Sequence, residues 1–123
     1  MATPPTISPF PLGKLTTAPN TPIRLTANYP SLYGNWTIDG GISRDLWANS
    51  MELIADLSNQ GNIYIGTQTM NKATLVGVIR VIRPGESWVL ENNIGGATYH
   101  VGDYFMDQDV ANDFIHGWAR LAP

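Results

Sequence analysis

Four aspartates gather near the C-terminus: Asp103, Asp107, Asp109 and Asp113. Carboxylates so spaced raise the question of a hard cation. Asp107-Gln108-Asp109 places two of them on one face of a strand, or close together in a turn. Calcium, however, takes about six or more oxygens, and a calcium loop needs a central glycine and a closing glutamate that this segment lacks. A solvated, turn-rich edge is the better reading. His100 and His116 are the only histidines. A zinc site wants ligands at short spacing or a strong third partner, and neither is evident, so both read as packed or surface side chains. A glycosidase needs two carboxylates facing each other across a cleft. Asp39, Glu52, Glu86 and Glu91 leave that pairing open, as residue counting leaves open a Ser-His-Asp arrangement. No nucleophile elbow, phosphate loop or dinucleotide fingerprint occurs. The expectation is a non-enzymatic protein with no catalytic residue, cofactor or metal.

Four tryptophans (Trp36, Trp47, Trp88, Trp118) and five tyrosines could stack on sugar rings. In a small β-protein, aromatics more often fill the core and subunit interfaces. Asn35-Trp36-Thr37 matches a glycosylation acceptor, which means little without a signal peptide. There are no cysteines, so disulfides, thiolate metal sites and cysteine nucleophiles are excluded. Net charge is −3 and the seven basic residues are scattered, with no stripe to neutralise phosphates and nothing to attract an anionic membrane. Met1-Ala2-Thr3-Pro4-Pro5 lacks the charged and apolar regions of a signal peptide, and no apolar run approaches the ~20 residues of a membrane span. The expectation is a soluble protein made in a cytoplasm.

The 123 residues fit one domain. Only 14% are charged against 43% hydrophobic, well below the ~25% charge of typical globular proteins. That composition suits β-structure with much loop, and a surface partly covered by partners. The first 22 residues hold six of the nine prolines and a single charge, Lys14. Proline fixes φ and removes a backbone donor, so this stretch is neither helix nor central strand. It reads as an extended arm over residues 1–22 beside a β-domain over residues 23–123. Ile7, Phe10 and Leu12 suit an arm pressed into a neighbouring subunit. On that reading, deleting residues 1–22 leaves a folded β-domain.

Within the β-domain, Ile23-Arg24-Leu25-Thr26-Ala27 alternates as a strand, and a short strand is placed around residues 36–38. Met51, Leu53, Ala55 and Leu57 form one apolar face of a strand over 51–58. A helix over 44–57 is disfavoured by Asn49-Ser50. With the turn at Gln60-Gly61-Asn62, the strand at 62–67 is expected to form a hairpin with 51–58. Residues 68–73 read as loop. Residues 75–82 (Leu-Val-Gly-Val-Ile-Arg-Val-Ile) are apolar on both faces, which predicts a strand central to a sandwich or covered by another subunit. Pro84-Gly85 turns the chain, and strands follow at 87–90, 97–101, 103–108 and 112–121. Short strands with turn signals roughly every 8–12 residues predict a single-domain, all-β sandwich or jelly-roll-like barrel.

Several of these segments carry a resemblance. Ile63-Tyr64-Ile65-Gly66-Thr67, Met70-Asn71-Lys72-Ala73-Thr74-Leu75, Gly77-Val78-Ile79 and Pro84-Gly85-Glu86-Ser87-Trp88 resemble a pattern in small structural proteins of tailed bacteriophages. In that pattern a strand ends in "IYVG", a loop reads "MNKTT", a buried strand follows, and "GES" precedes an aromatic. Residues 103–110 (Asp-Tyr-Phe-Met-Asp-Gln-Asp-Val) are similar to that group's "LYIDADV". The likeness spans roughly residues 60–112. It implies a virion component, a capsid cement (decoration) protein that staples neighbouring subunits of the major capsid protein and is often a trimer. The alternatives are a neck, tail or baseplate component, or a carbohydrate-binding or host-attachment module. The contacts expected from these readings are Ile7, Phe10 and Leu12 with a neighbour, and the Met70-Asn71-Lys72 loop with the capsid. Leu75, Val76, Val78 and Ile82 are expected to divide between core and subunit interface.

Overall fold

A computed structural model describes residues 9–28, 47–91 and 99–121. Among them are β1 (Pro9–Leu15), β2 (Ile23–Arg24), β3 (Trp47–Ala55), β4 (Ile63–Gly66), β5 (Val78–Ile82), β6 (Ser87–Glu91), β7 (Tyr99–His100), β8 (Phe105–Gln108) and β9 (Ile115–Leu121). One sheet has the order β1-β9-β3-β6, with β7 also paired to β3; the other has the order β2-β8-β4-β5. Every pairing is antiparallel.

The order is that of one long hairpin rolled up. β4 pairs with β5, β3 with β6 and β7, β2 with β8, and β1 with β9, so partners lie on either side of the 67–77 loop. Rolling this ribbon brings β9 against β3 and β8 against β4. The result is the all-β sandwich expected from the sequence, with the strand order of a jelly roll. Its core lies between the sheets, where Met51, Leu53 and Ala55 of β3 meet Ile63, Ile65, Ile82 and Met106 of the other sheet. The period-two pattern of β3 ends with the strand, and Leu57 beyond it is 82% exposed. Asn49-Ser50 marks a register shift between Ala48 and Ser50 inside β3, so the strand begins earlier than residue 51.

Four expectations need correction. First, β3 and β4 form no hairpin, because they lie in different sheets. The 56–62 segment is instead tied to residues 113–114. The Asp113 carboxylate accepts from the N–H groups of Gln60 and Gly61, and Asn59 exchanges two hydrogen bonds with the Phe114 backbone. Second, the apolar 75–82 run is not central. β5 ends its sheet, and only Ile82 joins the main core. Leu75 (φ 63°) and Gly77 (φ 77°) bend the chain before β5 begins. Third, the strand expected at 23–27 is two residues long, and residues 25–28 turn.

Fourth, residues 9–22 belong to the β-domain. Pro9 and Pro11 lie on β1, an edge strand, where proline is tolerated because a missing donor costs nothing on the free side. A register shift between Pro11 and Gly13 leaves Leu12 as an extra residue, with Gly13 at φ 78°. The bulge resets the alternation, so Leu12 and Leu15, three apart, both enter the core at 0% and 1% exposure. Leu12 therefore offers no surface to a neighbour, and Phe10 packs half-buried against the same core. Ile7 and the strand expected at 36–38 lie outside the described residues.

Leu12→Ala is expected to cost roughly 2–5 kcal/mol, read from the denaturant midpoint. Deleting residues 1–22 also removes β1 and Leu15, so the truncated chain is expected to lose cooperative unfolding. A truncated chain that unfolds at the full-length midpoint would restore the separate arm.

Candidate functional site

Residues of the 63–67, 70–78 and 105–109 segments meet on the outer side of the second sheet, beneath the 67–77 loop. The loop closes on two glycines. Thr67 N donates to Gly77 O at 2.9 Å, and a Cβ on Gly66 would sit 2.1 Å from that same oxygen. No larger residue fits this approach, and Gly77 also needs its positive φ. Inside the loop, Asn71 Oδ1 accepts from Ala73 N (2.9 Å) and Thr74 N (3.0 Å), while Asn71 N donates to Val76 O (2.8 Å). The asparagine thus serves the loop's own turn.

Two side chains hold this loop to the sheet. Met70 is 8% exposed and forms a second apolar cluster with Tyr64 and Phe105, flanked by Val78 and Val81. Lys72 Nζ donates to Gln108 O at 2.6 Å and lies 3.8 Å from Asp107 Oδ1 and 3.6 Å from Asp109 Oδ1. Its charge also sits 5.7 Å from the centre of the Tyr64 ring. Tyr64 in turn donates its hydroxyl to Asp109 Oδ2 at 2.9 Å. An ammonium with this many acceptors is a tether rather than a nucleophile.

Asp107 and Gln108 connect the tether to the interior. Asp107 Oδ1 accepts from Asn20 N (3.0 Å) and Gln108 N (2.7 Å). Gln108 is fully buried, with Oε1 accepting from Thr17 N and Nε2 donating to the carbonyls of Val110 and Asp113. Between the 16–22 connector and the loop lies a cleft of about 390 Å³, bordered by Asn20, Pro22, Gln68, Thr69 and Lys72, with the nearly buried Asp107 among them.

The acids singled out in the sequence thus have separate work. Asp107 and Asp109 share Lys72, Asp113 binds backbone N–H groups, and Asp103 lies 3.5 Å from His100 Nδ1. Among the described residues, no three histidine or acidic side chains form a group able to hold a metal. Glu52 accepts from the Trp118 indole, and Glu86 accepts from Arg83 N. Trp88 packs against the core, whereas Trp47 is half exposed with its ring 5.0 Å from that of His100. Asn35, Trp36 and Asp39 lie outside the described residues. Of the expected contact residues, Met70 and Lys72 face inward, Val78 is half-buried in the second cluster, and Asn71 and Val76 are exposed. The inward turn of Met70 and Lys72 was missed in the sequence. The glycines bracketing the loop, Gly66 and Gly77, are the signal that it folds back on itself. Comparison with protein families, with curated proteins and with solved structures returns no match.

Lys72→Met leaves Asp107 and Asp109 without their cation. It is expected to lower the unfolding free energy by roughly 1.5–3 kcal/mol, with part restored by adding Asp107→Asn. Unchanged stability in the single variant would remove Lys72 as a tether.

Burial raises the Tyr64 hydroxyl above its ordinary value of 10.0, and the hydrogen bond to Asp109 adds to the shift. Burial likewise raises Tyr99 and Tyr104. The unfolded chain releases these protons near pH 10.0 while the folded chain keeps them, so the folded state binds more protons above that pH. Stability from the tyrosines is full below this value and falls as pH rises beyond it. Urea midpoints measured through that range are expected to drop, less steeply in Tyr99→Phe.

Proposed function

We propose that the protein is a non-enzymatic virion structural protein of the tailed-phage cement, or decoration, type. On this reading it is made in the host cytoplasm, sits on the capsid surface as a homo-oligomer, by resemblance a trimer, and staples neighbouring subunits of the major capsid protein. It needs no cofactor and takes neither nucleic acid nor membrane as partner. The observation that carries the reading is the junction of Lys72 with Asp107, Gln108 and Asp109. Three segments of the resemblance, residues 63–67, 70–79 and 103–109, are distant in sequence yet pack together.

A cement protein has no substrate. Many copies each bury area on an assembled shell, and binding only the assembled form stabilises it by mass action. Specific interfaces bury roughly 1,200–2,000 Å² in total, which a domain of this size can supply through a loop face and a sheet flank. The exposed Trp47 beside His100 favours a second reading, host attachment through a glycan stacked on the indole.

The test adds purified protein to phage shells that lack it. Saturable binding at symmetric shell positions, with a higher temperature of shell disruption, is the expected result. Location at the neck, tail or baseplate instead would overturn the cement role. Glycan binding that Trp47→Ala abolishes would select host attachment.

A further inference from the structure

Six large apolar side chains stand exposed among the described residues: Trp47, Leu57, Leu75, Val76, Ile79 and Val89. All but Trp47 lie on, or next to, β5, β6 and the turn that joins them. Leu75 and Val76 lead into β5, Ile79 lies on β5, and Val89 lies on β6. Leu57 covers the turn between these strands, its Cδ1 2.9 Å from where a Cβ on Gly85 would be. Single exposed apolar residues are ordinary, whereas several on the two edge strands and their connections suit a contact surface.

Among the described residues the backbone on this flank is open as well. β5 ends one sheet and β6 ends the other, and the tight turn at 83–86, closed by Glu86 N to Arg83 O at 3.0 Å, keeps both free edges on the same side. The opposite flank is blunted. β1 carries Pro9, Pro11 and a bulge, and β2 is only two residues long. β5 and β6 contain no proline. The register shift opposite Ile65 and Gly66 leaves Ile79 unpaired with its side chain in solvent. Leu75 holds a left-handed φ of 63°, unusual for a bulky residue, with half its surface exposed.

Charge identifies the occupant. The β5 side carries Arg80 and Arg83, and β6 carries Glu91 at its end with Glu86 just before its start. All four are exposed, and none forms an ion pair among the described residues. One edge is therefore apolar and basic, and the other apolar and acidic. A surface so divided complements itself, whereas a partner of uniform charge would be repelled by half of it.

We infer that this flank joins copies of the chain, with β5 of one copy against β6 of another. Ile79 and Val89 supply the apolar contact, and Arg80 and Glu91 set the direction. The inference rests on the proposed self-association but not on attachment to a shell.

The experiment measures mass by sedimentation equilibrium across a concentration series of the full chain. The wild type is expected to associate. Arg80→Glu alone and Glu91→Arg alone are each expected to weaken association by at least about tenfold. An equimolar mixture of the two variants, or the double variant, is expected to recover it. Both side chains are exposed, so circular dichroism is expected to show unchanged folding. A wild type that stays monomeric throughout overturns both the inference and the self-association it rests on. An oligomer indifferent to both reversals overturns the inference alone and places the contact on another face.

Discussion

Burying an amide side chain is costly unless each of its polar groups finds a partner. Gln108, at 0% exposure, meets that condition fully. Its carbonyl oxygen takes Thr17 N at 2.8 Å, and its NH2 group reaches Val110 O and Asp113 O, both at 2.9 Å. One residue at the end of β8 thereby joins the connector leading to β2 and the connector leading to β9. Its own main-chain oxygen receives Lys72, and neighbouring Asp107 receives Asn20. Asp113, whose carbonyl Gln108 holds, binds the 56–62 crossing through its carboxylate. Four segments that pass between or over the sheets at this end thus converge on one buried amide and the two aspartates beside it.

This convergence gives the aspartates near the C-terminus structural partners. Carboxylates poised for catalysis or metal binding keep oxygens pointed at an open site. Here Asp107 and Asp113 are nearly buried and accept from main-chain N–H groups, and Asp109 is shared between a tyrosine and a lysine. The 67–77 loop is drawn into the same system, so its outward surface is held in a defined shape by contacts on its inner side.

What could be read from the sequence follows from what is local. The alternation of Met51, Leu53 and Ala55 was legible because a half-buried strand must place every second residue inside. The exclusion of the proline-rich stretch from a central strand was equally sound, since it rests on a missing donor. Its assignment as an arm failed because the bulge at Leu12 puts two leucines in the core at a spacing of three, which no two-residue period reveals. β5 was misplaced for a different reason. β-branched composition reports extended backbone, but not whether a strand has one neighbour or two. Among the site residues, the aspartates were visible as acids, while Gln108 passed unnoticed. Its hydrogen bond to Thr17 spans 91 positions, and its side-chain partners apart from Thr16 Oγ1 are main-chain atoms that carry no residue identity.

The place of β9 has a consequence for how the molecule is made. β9 lies between β1 and β3, paired to both, and so occupies the middle of its sheet. Until β9 is in place, β1 and β3 lack the strand that pairs with both of them. Early strands must wait with their apolar faces uncovered, and the closing contacts are among the most distant in the chain. Such topologies fold slowly, because loop closure must precede the contacts that reward it. The domain therefore completes its fold only once β9 is available, and its most vulnerable moment for misassociation is the interval before that strand enters.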